Sequence, residues 1–273
     1  MTINCNGNLI DLSTPKVMGI LNITPDSFFD GGKYKNETDI LSKVEKMLSD
    51  GATFIDVGAY SSRPGAKHIS EKEELQRILP VIKLLVNKFP DIIISVDTFR
   101  SNVAQQTIKA GAAVINDISA GKMNEKMLST VAQLQVPYII MHMQGTPQNM
   151  QQNPQYENIT TEVISFFAEQ LFKLHQLKVN DVIIDPGFGF GKTTEHNYEL
   201  LKNLSLFKSL EIPILAGISR KSMLYKPLEI TAQQALNATT AAHTIALLNG
   251  ANILRAHDVK EAIEAVKIVS QLS

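Results

Sequence analysis

The sequence feature that most constrains the fold is a regular alternation of short apolar runs with longer amphipathic segments. Eight apolar runs predict strands, over residues 17–21, 53–57, 92–96, 113–115, 138–141, 182–184, 214–216 and 252–254. They are nearly continuous in apolar and β-branched residues, which is typical of parallel strands buried on both faces. Between them, helical patterns are clearest over residues 38–50, 70–89, 159–177, 231–249 and 259–271. Ser70 and Glu73 predict a capping box at the start of the second of these helices.

This alternation predicts the α/β class and, within it, a single-domain (β/α)8 TIM barrel. The chain of 273 residues agrees with the roughly 250 residues of a typical barrel. A doubly wound open sheet is the alternative, but it usually has fewer strands, and no GxGxxG motif follows the first strand here. Residues 1–273 are therefore interpreted as one domain. Residues 1–16 form a short extension, suggested to be a hairpin at the bottom of the barrel.

Composition and charge exclude several classes of protein. The chain is 44% hydrophobic with a net charge of −1, and it has no apolar run near the ~20 residues of a membrane span. It also lacks the basic runs that bind nucleic acid. We therefore expect small-molecule substrates, with neither nucleic acid nor a membrane as partner. The first residues lack the pattern of a signal peptide, and one cysteine, Cys5, permits no intrachain disulfide, so we expect a cytoplasmic protein.

Polar residues end the predicted strands, among them Asn22, Asp56, Asp97, Asn116, Asp117, His142, Asp185, Arg255, His257 and Asp258. Because the carboxyl ends of barrel strands converge on one mouth, we expect these side chains to share a pocket. Simpler explanations exist for some of them. Asp117 and Asp258 are better explained as helix N-caps, and Asn22 equally well as a turn residue. Asp56 and Asp97 follow apolar runs, where an unpaired charge is costly, so each needs a partner or a ligand.

Sorting the polar groups by charge divides the predicted mouth into two halves. Asp97, Asn116 and Asp185 suit a flat heterocycle with adjacent N–H donors, because a carboxylate accepts two parallel hydrogen bonds. The donors are Arg63, Arg220, Lys221, Arg255 and His257, and those after the last two strands lie where barrels commonly bind phosphate. No dense cluster of metal ligands is evident, but Mg²⁺ on a diphosphate needs few protein ligands. His68, His175, His196 and His243 are interpreted as structural or surface residues.

Eight segments, in order, resemble the motifs of the dihydropteroate synthase family of pterin-binding enzymes. They are GILNITPDSF at residues 19–28, SSRPGA at 61–66, SVDT at 95–98, IND at 115–117, MHM at 141–143, DPGFGFGK at 185–192, GISRKS at 217–222 and RAHD at 255–258. The resemblance extends from about Val17 to the C-terminus. The sequence departs from the family pattern at Phe29, Tyr60, Ser62 and Gln144.

The resemblance implies a TIM barrel that condenses 6-hydroxymethyl-7,8-dihydropterin diphosphate with 4-aminobenzoate, giving 7,8-dihydropteroate and diphosphate. The residues implied to hold the pterin are Asp97, Asn116, Met141, Asp185, Phe190, Gly217 and Lys221. Those implied for the diphosphate are Asn22, Arg63, Arg255 and His257, with Asn22 also ligating Mg²⁺. Those implied for 4-aminobenzoate are Ser62, Arg63, Pro64, Phe190, Lys221 and Ser222. The catalytic set would be Arg63, Asp97, Asp185 and Lys221, in a homodimer.

Two other functions are compatible with a pterin-binding barrel. One is transfer of a methyl group from a methylated folate, a reaction that has no diphosphate to hold. Arg63, Lys221 and the pair of Arg255 and His257 therefore favour the synthase. The other is a non-catalytic pterin-binding paralogue, against which the full set of charged groups argues.

Overall fold

The computed structural model describes residues 1–23, 33–62 and 68–272, with residues 33–36 as backbone only. Its strands are β1 (Thr2–Cys5), β2 (Asn8–Asp11), β3 (Lys16–Asn22), β4 (Phe54–Gly58), β5 (Ile94–Asp97), β6 (Val114–Asp117), β7 (Tyr138–Met141), β8 (Val182–Asp185), β9 (Leu215–Ala216) and β10 (Ile253–Ala256). Strands β3 to β10 form one parallel sheet in the order β8-β7-β6-β5-β4-β3-β10-β9. A parallel bridge between Ile184 and Ile214 joins its two ends. The sheet is therefore a closed barrel, which confirms the predicted TIM barrel and rules out the open sheet.

Helices surround the barrel. They are α1 (Lys33–Ser49), α2 (Glu71–Lys88), α3 (Ser101–Lys109), α4 (Met127–Leu134), α5 (Ile159–Gln176), α6 (Thr194–Lys202), α7 (Ser222–Tyr225), α8 (Leu236–Leu248) and α9 (Val259–Val269). Each of the five predicted helices is present, although a 3-10 turn at Ala232–Gln234 precedes α8 and shortens it. Helices α3, α4 and α6 were not predicted. They have only eight or nine residues each and therefore carry few periods of the apolar pattern.

Half of the predicted capping box is present at α2. The Ser70 hydroxyl accepts a hydrogen bond from the Glu73 backbone N–H over 3.2 Å. The Glu73 carboxylate does not return the bond to Ser70, because it pairs with Arg77 one turn along the helix. An i,i+4 partner on the same exposed face thus competes with the backbone for the carboxylate.

The bottom of the barrel is apolar and closed. Residues 2–11 form an antiparallel hairpin, and its Ile3 and Cys5 pack with Leu12 on the inward-facing residues of the lower barrel. Those residues are Met18, Phe54, Val114, Ile139, Ile183, Leu215 and Ile253. The Asn4 backbone N–H donates to Asp181 at the start of β8. Because this end is filled, polar side chains inside the barrel are accessible only from the opposite end. Among the described helices, none is long and apolar enough to cross a membrane.

Candidate active site

Strand register brings four mouth positions to one level. Asn22 lies opposite Gly58, Gly58 opposite Asp97, and Asp97 opposite Asn116. Residues two apart on a strand point to the same side of a sheet, so Asp56 lies inside the barrel one layer below Gly58. Because Gly58 has no side chain, the Asn22 and Asp97 side chains approach it from both sides: a Cβ at Gly58 would lie 3.6 Å from an oxygen of each.

Asp56 is the centre of the inner layer. It is fully buried, and its carboxylate accepts from Ser95 Oγ at 2.6 Å, Asn116 Nδ2 at 3.1 Å and Arg255 Nε at 2.7 Å. The partner expected for this buried charge is therefore present. Asp56 holds Asn116 and Arg255 in place and has little capacity left for a ligand. Within the described residues the Asn116 side-chain amide oxygen, Oδ1, has no donor.

Arg255 also contacts Asp97. Its Nη2 lies 3.3 Å from Asp97 Oδ2. Burial raises the pKa of Asp97 to about 7, with the negative charge of Asp56 adding to the rise and Arg255 opposing it. The carboxylate and cationic halves predicted for the mouth thus meet at Arg255. Its guanidinium offsets the negative charges of both Asp56 and Asp97.

Asp185 and Lys221 form the other side of the mouth. Asp185 Oδ1 accepts from the Gly187 N–H at 2.8 Å, and a Cβ at Gly217 would lie 3.3 Å from Asp185 Oδ2, so glycine leaves this oxygen accessible. Lys221 Nζ donates to the Phe188 carbonyl and lies 4.2 Å from the centre of the Phe190 ring. Burial lowers the pKa of Lys221 to about 8, against the opposing charge of Asp185. Burial raises the pKa of Asp185, and Lys221 opposes that rise.

The other residues that the family resemblance implies lie around Asp185 and Lys221 or outside the described residues. Met141 is buried inside the mouth with Phe190 beside it, Ser62 and Ser222 are half-buried at its rim, and the His257 backbone N–H donates to Ser219 Oγ. Burial and the nearby Arg255 and Arg220 lower the pKa of His257 to about 4, so its ring is neutral at pH 7. Arg63 and Pro64, like Phe29, lie outside the described residues.

The structure corrects the prediction that every polar strand end enters the mouth. His142 follows the inward-facing Met141 and points out of the barrel, where its ring packs against Tyr156 and Phe166. Arg220 is paired with Asp258 through two hydrogen bonds of 2.8 and 2.6 Å, so it is not a free donor for phosphate.

The prediction that Asp117 and Asp258 cap helices is also wrong. Asp117 accepts from Ser119 and Gly121 in the turn after β6, and from the Tyr138 hydroxyl at 2.7 Å. Asp258 stands at the first position before α9, but its carboxylate is bound to Arg220 and makes no cap hydrogen bond. No helix begins close to Asp117, since α4 starts only at Met127. Asp258 does occupy the N-cap position of α9, but Arg220 takes the oxygens that the helix N-terminus would otherwise use.

Two clusters near the mouth were not predicted. In the first, buried Arg100 donates to Glu74 and to the Ile69 carbonyl at 2.7 Å. Tyr60 packs against Arg100 and its hydroxyl lies 3.3 Å from His68 Nδ1. In the second, Lys192 is buried against four acceptors. The sequence signal for the Lys192 cluster was a lysine at the end of a glycine-rich loop. The Arg100 cluster had no sequence signal, because its members come from separate elements.

The residues of the mouth agree with a weakly held divalent cation better than with a structural metal centre. Within the described part of the chain, no group of three His, Cys, Asp or Glu side chains is placed to hold a metal. The Asn22 amide makes no hydrogen bond to any other described residue, and its oxygen lies beside Gly58 on the level above Asp56. A single amide oxygen without a described partner suits Mg²⁺, which keeps most of its water and phosphate ligands.

Comparison with known proteins agrees with this geometry. Residues 18–257 match the model of the family described as pterin binding enzyme. Dihydropteroate synthase of Escherichia coli strain K12 is 43% identical over 272 residues, 98% of this chain and 95% of that protein. The sulfonamide complex of the Yersinia pestis synthase has a TM-score of 0.93 at 44% identity, covering 100% of this chain and 99% of that one.

A third similarity concerns a bound product. The Xanthomonas albilineans dihydropteroate synthase, solved in complex with 7,8-dihydropteroate, has a TM-score of 0.87 at 32% identity, covering 99% of this chain and 98% of that one. These relatives support the synthase and give no support to methyl transfer. The chain belongs to the pterin-binding enzyme family, among its dihydropteroate synthases.

Proposed function

We propose that this chain joins 6-hydroxymethyl-7,8-dihydropterin diphosphate to 4-aminobenzoate, releasing diphosphate and 7,8-dihydropteroate. The observation that carries the proposal is one mouth in which acceptors for a flat ring and donors for an anion lie side by side. Asp97, Asn116 and Asp185 supply the acceptors, and Lys221 and Arg255 supply the donors. Relatives with this fold include one solved with 7,8-dihydropteroate bound.

The pterin is assigned to the acceptor side. Its amino-pyrimidinone edge presents adjacent N–H donors, which a carboxylate accepts in pairs. Asp97 and Asp185 would bind these donors. The Asn116 side-chain amide oxygen, Oδ1, would be directed to the same space, because Nδ2 of the same amide is held by Asp56. Met141 and Gly217 would form the apolar wall and the close floor beneath the ring.

The diphosphate is assigned to Asn22, Arg63, Arg255 and His257. Burial and the nearby arginines keep the His257 ring neutral at pH 7. An anion beside it would raise its pKa and let it bind as a third cation, after Arg63 and Arg255. Mg²⁺ fits Asn22 as one protein ligand, and when bound it would neutralise charge on the departing diphosphate. Arg255 is held in place by Asp56, so it needs little reorganisation to meet that charge.

The chemistry that best suits these residues is dissociative. The C–O bond breaks with its electron pair leaving on the diphosphate, and the positive charge spreads over the dihydropterin, where Asp97 and Asp185 stabilise it. The amino group of 4-aminobenzoate then forms the C–N bond with its lone pair and releases a proton to solvent or diphosphate. Ser62, Pro64, Phe190, Lys221 and Ser222 would frame the 4-aminobenzoate, Arg63 would contact both it and the diphosphate, and no strong general base is required.

The experiment that tests the proposal is a two-substrate assay. The purified protein is expected to release diphosphate only when pterin diphosphate, 4-aminobenzoate and Mg²⁺ are all present, with one 7,8-dihydropteroate formed per diphosphate. Both products are followed, diphosphate by a coupled assay and the pteroate by chromatography. Diphosphate release without incorporation of 4-aminobenzoate would contradict the proposal.

Pterin binding is expected to strengthen as pH rises towards 7. The pKa of Asp97 is raised to about 7, and only its ionised form accepts two N–H bonds, so below that pH a growing fraction of the protein is unable to bind. The measurement is the Kd of 6-hydroxymethylpterin, which carries no diphosphate, between pH 5 and pH 8 by calorimetry. The Asp97→Asn variant is expected to bind weakly with a flat profile, and a flat profile in the unmodified protein would contradict the assignment.

We also propose a cytoplasmic homodimer formed through the last helices. Among the described residues, four of the eleven exposed large hydrophobic side chains lie on α8 and α9 or just beyond them: Ile245, Leu248, Ile268 and Leu272 are 45%, 56%, 68% and 72% exposed. Apolar patches of this kind commonly mark protein interfaces. Sedimentation velocity tests the dimer, and a monomer at micromolar concentration would contradict it.

A further inference from the structure

Lys192 is a buried lysine to which the proposed reaction assigns no role. It follows the glycine-rich loop of residues 186–191 and is 3% exposed. Its Nζ lies 2.9 Å from His142 Nδ1, 3.0 Å from the carbonyl oxygens of Gly187 and Phe190, and 3.2 Å from the His142 carbonyl oxygen. These acceptors come from two different strand ends, β7 and β8, so Lys192 joins them. A buried lysine is rare without such partners.

Two glycines bring the loop close enough for this joint. Gly187 has φ +73° and Gly191 has φ +60°, a region that other residues rarely adopt. A Cβ at Gly187 would collide with the His142 carbonyl oxygen, and a Cβ at Gly191 would lie 2.7 Å from the Gln144 carbonyl oxygen. The loop therefore lies directly against the backbone that follows β7, and Lys192 closes the contact.

The same loop presents the groups that Lys221 contacts. The Phe188 carbonyl accepts from Lys221 Nζ, and the Phe190 ring lies 4.2 Å from that nitrogen. Lys192 binds the carbonyl of Gly187, directly before Phe188, and that of Phe190, two residues after it. The Phe188 carbonyl therefore lies in the segment between two carbonyls that Lys192 holds.

We propose that Lys192 is a positioning residue, which ties the glycine-rich loop to His142 so that the Phe188 carbonyl and the Phe190 ring direct the Lys221 ammonium into the mouth. Lys192 itself touches no substrate. What Lys221 binds rests on the proposed function. That Lys192 controls the environment of Lys221 follows from the contacts alone and does not depend on any activity.

The first test is kinetic. Lys192→Met is expected to lower kcat/KM for the pterin diphosphate about 100-fold, the size of effect that follows from a misplaced binding group. Lys202→Met, ten residues along on the exposed face of α6, is the matched control and should leave the rate unchanged. In a Lys221→Ala background, Lys192→Met should lose most of its effect. If the fold-loss in kcat/KM of the double variant equals the product of the two single fold-losses to within about twofold, the residues act independently. That result would overturn the proposal.

A conservative series at His142 covers the case in which Lys192→Met fails to fold. His142→Leu removes one acceptor of the joint, whereas His142→Asn places an amide oxygen near the position of Nδ1. We expect the leucine variant to lose activity and the asparagine variant to recover most of it. Equal loss in both folded variants would mean that the ring packing of His142 matters and the bond to Lys192 does not.

The last test needs no activity. Modification of Lys221 by trinitrobenzenesulfonate, followed by peptide mass spectrometry across pH, reports the pKa of its amine, which burial lowers from 10.5 to about 8. In Lys192→Met, and to a smaller extent in His142→Leu, a released loop should expose Lys221 and move its pKa towards 10.5. An unchanged titration in folded Lys192→Met would refute the positioning role. An inactive unmodified protein, in contrast, would refute only the proposed function.

Discussion

Replacing Asp97 with alanine is expected to weaken pterin binding by about 100-fold or more, because two hydrogen bonds to a charged acceptor are lost. The fold should survive, since Asp56 continues to hold Arg255 at 2.7 Å. Removing Asp97 also removes one of the two carboxylates that pair with Arg255. The diphosphate site around Arg255 therefore stays intact or becomes more positive. The loss should therefore appear in the affinity for the pterin and not in that for inorganic diphosphate.

The measurement for Asp97→Ala is calorimetric titration with 6-hydroxymethylpterin and, separately, with inorganic diphosphate and Mg²⁺. Asp181→Ala is the matched control, because Asp181 lies at the other end of the barrel and its carboxylate binds only the Asn4 backbone N–H among the described residues. An unchanged pterin Kd in Asp97→Ala would remove this residue from the pterin site. A comparable loss of affinity for diphosphate would mean that the substitution disturbs the whole mouth.

Replacing Arg100 with methionine is expected to destabilise the protein by about 3–5 kcal/mol, because it leaves Glu74 as an uncompensated buried charge. Glu74 is fully buried and Arg100 is 8% exposed. Burial raises the pKa of Glu74, and Arg100 and Thr98 oppose the rise. Without Arg100 only Thr98 opposes the rise, so the loss of stability should shrink as pH falls and Glu74 becomes protonated. Such a loss is a large part of the roughly 5–15 kcal/mol that stabilises a typical domain.

Urea unfolding at pH 7 and pH 5 measures this effect. Arg77→Met is the control, since the pair of Arg77 and Glu73 has a 45% exposed carboxylate and pairs of that kind contribute about 1 kcal/mol or less. A double variant, Arg100→Met with Glu74→Leu, should recover much of the stability because it removes the stranded charge. If Arg100→Met costs no more than Arg77→Met, the buried pair does not carry the stability assigned to it.

The corrections at His142 and Asp117 share one physical origin. Met141 and His142 are adjacent, as are Asn116 and Asp117, and neighbours on a strand point to opposite faces. A polar residue at a strand end enters the barrel only if its parity is that of the inward-facing residues. This parity was readable from the register of apolar positions, so the outward direction of His142 was predictable in principle.

Pairing between distant residues is different, because it depends on which side chains the closed barrel brings within reach. Arg255 was predicted as a diphosphate ligand, and it meets Asp56, 199 positions away in the chain. Arg220 meets Asp258, and Arg100 meets Glu74, through contacts between separate elements. No local spacing encodes these distances, so a single sequence shows the need for a partner, as at Asp56, without showing which residue it is.

The sequence by itself determined the alternation of buried strands with helices, the barrel, and the eight motifs at one end of it, because apolar periodicity and local motifs are properties of neighbouring residues. The tertiary structure decided which polar residues the substrates can reach and which are bound to one another. That division is set by strand parity and by barrel closure, which places Arg255 between two carboxylates and ties Lys192 to His142. Strand parity and barrel closure both depend on the register across the whole sheet, and the local sequence does not determine that register.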